Sequence, residues 1–482
     1  MISFLISLVV LIAGYIIYGA FVERVFGSDK NRQTPAYSLR DDVDYLPMST
    51  WRVFLIQFLN IAGLGPIFGA IMGIMFGPAA FLWIVLGTIF AGAVHDYLSG
   101  MISLRQGGVS LPEMVGRELG PVIKNVMRIF SILLMLLVGA VFVVNPAILL
   151  AGMTPEAMNQ TVWIAIIFGY YILATLLPID KLIGNLYPVF GAALLFMAIG
   201  LVGYMIFSGV TIPDGFTDGL YNRSANADAT PIFPMMFVSI ACGAISGFHA
   251  TQSPMMARCL KNEKNGRPIF YGAMVAEGIV ALIWAAAAIA FTGGYDGLDE
   301  FMKANNSLPA PLVNRVAVEW LGPIGGLLAM LGVIAAPIST GDTALRSARL
   351  IAADFLKFRQ DTIIRRLAIS IPLFAATFGI LLIDFNVLWR YFGWCNQALA
   401  VFTLWAVTVY LTRHGKPYII TLAPAMFMTA VCTGYLFISP SMGIGLSYNA
   451  SVSLGVIVAL ALCVFFFVKK KSITQRVDEE NI

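Results

Sequence analysis

The chain has 482 residues, 59% of them hydrophobic and 12% charged, with a mean hydropathy of +0.84. So few charges over this length exclude a soluble globular fold, and the recurrence of runs of about 20 apolar residues makes it an all-α polytopic membrane protein. The net charge of +4 is too small to suggest nucleic acid, and Cys242, Cys259, Cys395, Cys432 and Cys463, lacking paired spacing, read as small core residues instead of disulfides or metal ligands.

Residues 2–20 lack the basic start and cleavage site of a secretory signal and read as a retained first helix. A polar stretch over 23–49 follows as a surface loop. The second span, 51–76, is apolar but interrupted at Asn60-Ile61-Ala62-Gly63-Leu64-Gly65-Pro66. The third, 81–104, carries His95 and Asp96, and the run at 111–120 predicts a short amphipathic helix. Spans four to six fall at 126–148, closed by Asn145-Pro146, 162–177 and 186–207. After a polar loop at 213–231 comes the seventh, 233–258, interrupted at Ala241 to Gly247 and followed by His249, Thr251, Gln252, Ser253 and Pro254. The eighth, 269–291, holds Glu277. The ninth starts near Pro323 and is expected to be disturbed at Pro337 to Asp342. The last four are 367–383, 387–411, 419–438 and 452–468, before a basic tail.

Spans two and seven are poor continuous helices, because glycine costs about 1 kcal/mol and proline about 3 in a helix interior. Unwound backbone inside a membrane needs protein or a cavity around it, and in secondary transporters such breaks hold the ligand. Lying five spans apart, the two breaks fit an inverted repeat. The expectation is therefore about thirteen helices dividing as one, five, five and two: an N-terminal helix and loop (1–49), a first repeat (50–210), a second (211–411) and two further helices with the tail (412–482). With the N-terminus outside, 26 of the 30 Lys and Arg residues fall in cytoplasmic segments, as the positive-inside rule requires. Trp51, Trp163, Trp320 and Trp389 read as interface anchors.

Ionisable groups in hydrocarbon need a partner, water or a function. The expected substrate site combines Gln57, Asn60, Gly63, Gly65, Asn145, Ser246, His249, Thr251 and Gln252, polar or small residues at or near the breaks. Ion coupling is placed first on Ser339, Thr340 and Asp342, where hydroxyls and a carboxylate could take a proton or sodium, with Asp96 and Glu277 as further candidates. The bland alternatives are a helix cap at Asp342, a neutral structural histidine at His95 or His249, and a Glu277 that only holds helices together. Adjacent on one helix, His95 and Asp96 are not expected to pair. No metal site is expected, since the three histidines lack zinc spacing; without a P-loop in the cytoplasmic segments ATP hydrolysis is not supported, and no enzyme activity is expected.

The motifs QFLNIAGLGPIFGAIMG, AGAVHDYLSGMISLRQGG, GAISGFHATQSPMMAR and PISTGDTALRSARL resemble those of the carbon-starvation protein A (CstA) family, over roughly residues 50–410. The resemblance implies a prokaryotic inner-membrane uptake transporter of peptide or pyruvate, linked to starvation, driven by protons and without a bound cofactor. It also implies a LeuT-like core, in which the two broken helices flank the substrate and the ninth span helps form a cation site. A sodium-coupled symporter of the same fold, or a channel or sensor without coupled transport, are the alternatives. Membrane lipid and the small solute are the expected partners, and the sequence does not set the oligomeric state.

Overall fold

Hydrophobic runs bounded by Gly, Pro and charge become helices because a membrane core leaves the backbone no other partner than itself. A computed structural model describes residues 1–42, 44–174, 179–214, 219–224, 226–360 and 362–480, and these contain helices, turns and loops without a strand. The expected end of the fifth span at 175–177, parts of the loops at 178–185 and 213–231, and the side chain of Lys181 lie outside the described residues.

In chain order the helices are α1 (Ile2–Phe26), α2 (Thr50–Ile61), α3 (Gly65–Ile74), α4 (Ala79–Arg105), the amphipathic α5 (Leu111–Leu119), α6 (Pro121–Met153), α7 (Gln160–Ala174) and α8 (Ile179–Phe207). There follow α9 (232–239), α10 (Gly247–Ala257), α11 (Glu263–Phe291), α12 (Tyr295–Ala304), α13 (Ala310–Leu356), α14 (Ile363–Ile380), α15 (Phe385–Arg413), α16 (Ile419–Ile438) and α17 (Tyr448–Glu480). Among the described residues, ten helices are long and apolar enough to cross a membrane, and eleven if α2 and α3 form one span bent by 54°. The protein is thus an all-α polytopic membrane protein with bent helices. α1 and α17 leave most of their apolar surface uncovered, including Ile16, Ile17, Val464 and Phe465, as faces against lipid would.

Both expected interruptions are present. Between α2 and α3 the chain leaves the helix at 62–64, and between α9 and α10 at 240–246, where Ser246 is extended (φ −144°, ψ 120°). α10 packs against α2, α4 and α15, and α11 lies across α2 and α3. The third expected disturbance is in a different place. α13 runs helically through Pro337 to Thr343 and breaks at Gly322 (φ 69°), one residue before Pro323. Pro337 withdraws one donor from the ladder, while the Ser339 and Thr340 hydroxyls both donate back to the Ala336 carbonyl at 2.8 Å, a bond the helix accommodates. Trp389 is also no interface anchor: it is buried among Phe68, Phe385 and Phe392, whereas Trp51 is exposed.

The loops at 21–52, 104–128, 258–268 and 412–416 meet at one end of the bundle. Glu263, fully buried, accepts hydrogen bonds from Arg105 (3.1 and 3.2 Å), from Arg32 (3.4 Å) and from the Asp29 amide (2.8 Å). Lys416 donates to the Val25 and Phe26 carbonyls at the end of α1, and Arg413 pairs with Glu118 at 2.9 Å. On α5, burial pushes the Glu113 carboxyl up, but hydrogen bonds from Lys124 and Arg128 outweigh it and hold the group below its usual range. At the other end the N-terminal amine donates to the Ile212 carbonyl at 2.8 Å, and the Arg223 amide to that of Phe76 at 3.1 Å.

Candidate functional site

The two interruptions touch each other. A Cβ on Gly65 would come within 2.1 Å of the Cys242 Cβ, and one on Gly69 within 2.9 Å of the Ser239 carbonyl, so only glycine lets the breaks cross this closely. Gly247 presses on α15 in the same way, 2.3 Å from the Ala400 nitrogen for an added Cβ. Beside the crossing lies a cavity of about 50 Å³ lined from both breaks by Gly65, Ala241 and Cys242, and from α15 by Trp389 and Arg390. Gly63 is not on its wall; it packs against Phe142 and Thr340 instead.

What stabilises the second break comes from side chains that sequence reasoning missed. Asn396 on α15 caps α10: its Oδ1 accepts from the Phe248 amide at 2.7 Å and from the Ser246 hydroxyl at 3.0 Å. Its neighbour Gln397 donates through Nε2 to the unwound Ala241 and Ile245 carbonyls at 3.0 and 3.1 Å, and the Thr88 hydroxyl donates to that of Gly243 at 3.1 Å. Ser246 therefore acts with a cap. Three of the carbonyls that the break frees are thus met by side-chain donors. The signal was available in Cys395-Asn396-Gln397, two amides inside an otherwise apolar run.

Two of the ionisable candidates, Asp96 and Glu277, converge on His249, the third residue of α10. Its Nδ1 lies 2.8 Å from Asp96 Oδ2 on α4, and its Nε2 lies 3.3 Å from Glu277 Oε2 on α11. Asp96 Oδ1 in turn meets His95 Nδ1 at 2.7 Å, and all four side chains are fully buried. The expectation that His95 and Asp96 do not pair is corrected. Helical offset turns their Cβ atoms apart, but Nδ1 lies close to the backbone and the short carboxylate can lean across to it. Among the described residues neither Glu277 oxygen has a hydrogen-bond partner. A histidine that donates Nδ1–H to Asp96 points a lone pair at Glu277, so two acceptors face each other unless a proton lies between them. One ligand atom from each of Cys242, His249 and Glu277 also lies within 4.8 Å of the others, close enough to hold a cation.

The remaining candidates are distributed around this cluster. Gln57 Nε2 donates to the Ser253 hydroxyl at 3.4 Å, leaving Oε1 unpartnered. Thr251 and Gln252 bond each other at 3.0 Å and face Met135. Asn145 donates to the Val141 carbonyl of its own helix, with Oδ1 unpartnered. Asn60 is fully buried with neither side-chain atom partnered, and borders a small second cavity with Asp44, Arg258 and Leu350. Eight of the nine expected substrate residues therefore lie on or beside the interrupted helices and Asn145 on α6; Gly65 lines the first cavity and Asn60 the second.

The α13 candidates form a separate group. Asp342 accepts from the Tyr187 hydroxyl at 3.0 Å and keeps Oδ1 unpartnered; lying inside a continuous helix, it is not a cap. Thr340 reaches the first break by donating to the Leu59 carbonyl at 3.2 Å. Ser339, Thr340 and Thr343 all donate to carbonyls of α13 itself.

Comparison with known proteins agrees with this architecture. The chain is similar to a Haemophilus influenzae membrane protein described as uncharacterized (44% identity over 358 residues, covering 64% of this chain and 96% of the relative). It is similar to the pyruvate/proton symporter BtsT of Escherichia coli (29% over 343 residues, 58% and 48%) and to the peptide transporter CstA of Bacillus subtilis (31% over 342 residues, 58% and 57%). The chain thus spans about half the length of these two transporters. A crystal structure of the Eremococcus coleocola manganese transporter shares the fold, with a TM-score of 0.56 at 12% identity over 91% of this chain and 99% of that one. The family model for carbon starvation protein CstA matches residues 1–158 and 147–319, running through both interrupted helices and the Asp96, His249 and Glu277 cluster between them, and the chain belongs to that family.

Proposed function

We propose that the protein is a secondary transporter that takes up a small carboxylated nutrient, a peptide or pyruvate, with protons, in the starvation response. The observation that carries the coupling is His249, placed on the second half of an interrupted helix and held between Asp96 and Glu277. A proton shared across His249 and Glu277 ties protonation to the position of α10, and an ion gradient drives a solute only through such differential interaction with two states. The pyruvate and peptide transport of these two relatives supports the substrate class. This reading moves coupling from Asp342, whose neighbouring hydroxyls are engaged with their own helix, to the buried relay.

The architecture that goes with it has thirteen crossings divided as one, five, five and two, with α2–α3 and α9–α10 opening two inverted, LeuT-like repeats. The end bearing Glu263, Arg105 and Lys416 is cytoplasmic, which places the N-terminus outside. Purified protein in sealed liposomes should accumulate labelled pyruvate or dialanine when a proton gradient is imposed. Accumulation that follows sodium instead favours the sodium symporter, passive flux a channel, and binding without flux a sensor. The three donor atoms of Cys242, His249 and Glu277 supply a second reading, a divalent cation in place of the proton. Uptake that is stopped by a chelator and restored by manganese or zinc would favour it.

A further inference from the structure

Arg349 lies on α13, two turns beyond Asp342, and is only 6% exposed. Two of its guanidinium nitrogens, Nε and Nη1, are buried without a hydrogen-bond partner, and no carboxylate among the described residues pairs with it. Its neighbour Arg346 is anchored differently, donating to the Ala174 carbonyl at 2.9 Å. The charges that reach Arg349 are Arg346 and Arg366, of its own sign, and then Asp44 and Asp342. A guanidinium out of water, with N–H groups unmet and two cations nearby, is costly unless an anion joins it. Asp44 also lines the small cavity around Asn60, whose amide is likewise unmet, and Leu350 beside Arg349 forms part of the same wall.

We infer that Arg349 is the carboxylate anchor of the transported solute, with Asn60 completing the polar contacts at the margin of the first interruption. The planar fork matches a carboxylate with two parallel hydrogen bonds, which an ammonium cannot reproduce. This inference rests on the reading of the protein as a transporter of carboxylated solutes. It adds to that reading the group that tells a carboxylate from its neutral amide.

The test is equilibrium binding of pyruvate and dialanine, each beside its amide, to the purified full chain. Wild type should prefer the acid over the amide by about tenfold to a hundredfold, the range of a hydrogen bond to a charged group. R349Q should bring the ratio close to one, and R349K, which keeps the charge and loses the fork, should fall between. Because the readout is a ratio within one preparation, a partly folded variant does not imitate the effect. A wild-type ratio retained in R349Q overturns the anchor and leaves transport standing. Wild type that binds none of the four probes sinks the transport reading itself. Co-purifying anionic lipid lost in R349Q with the ratio unchanged would assign the guanidinium to a lipid phosphate and also overturn the proposal.

Discussion

Replacing Glu277 by Gln tests the relay most directly, since it keeps the shape of the side chain and removes its proton. With His249 donating Nδ1–H to Asp96, the Gln amide can donate to Nε2 across the present 3.3 Å. The cost to stability is then the difference between a charge-assisted and a neutral hydrogen bond, about 1 kcal/mol. The effect on coupling is of another order. One proton per solute allows about tenfold accumulation for each unit of imposed pH difference, because a unit corresponds to about 1.4 kcal/mol. In proteoliposomes the variant should therefore equilibrate labelled solute across the membrane yet accumulate it no more than about onefold, whatever the gradient. Should E277Q still concentrate solute with the slope of the wild type, the proton does not pass through Glu277 and the relay is wrong.

Asp342→Asn provides the contrast: with its amide still able to meet the Tyr187 hydroxyl, it should retain gradient-driven accumulation, and its loss would return coupling to α13. Asn396→Ala removes the cap of α10 and should cost about 1–2 kcal/mol, while Gln397→Leu leaves two buried carbonyls unmet at about 1–3 kcal/mol each. Both should lower the thermal midpoint in detergent; a midpoint within a degree of wild type for either would contradict the account of the break. Gly65→Ala should overpack the crossing by about 1–3 kcal/mol, and adding Cys242→Gly should recover most of that loss, which the same melting assay reads. The depressed Glu113 carboxyl stabilises the fold above the ordinary carboxylate range, and that contribution should disappear as pH falls through its lowered value. Glu113→Gln should accordingly flatten the acid limb of the stability profile.

The breaks were readable in the sequence because Gly and Pro interrupt apolar runs locally, and Asp96, His249 and Glu277 because charge in a spanning segment is rare. Their convergence was not, since Asp96 and His249 lie 153 residues apart and only packing brings α4, α10 and α11 together. Asn396 and Gln397 were overlooked because they sit in a regular helix with no breaker beside them. Pro337 misled in the opposite direction: judged by its own propensity it ends a helix, while close packing of α13 against α6 and α8 keeps it continuous. Trp389 shows the same limit, since a tryptophan near a span end is an anchor or a wall according to what packs on it.

Glu263 gives α1 a mechanical role that its lipid-facing surface conceals. The carboxylate gathers Arg32 and Asp29 from the segment after α1, and Arg105 from the end of α4, while Arg105 also lies over the Phe26 ring, 3.9 Å from its centroid. The first helix is therefore riveted to the ends of the helices that carry Asp96 and Glu277. Rocking of those helices would drag the last turn of α1 with it like a lever arm, and cutting the chain after α1 would loosen the segment that brings Arg32 and the Asp29 amide to the buried Glu263 carboxylate.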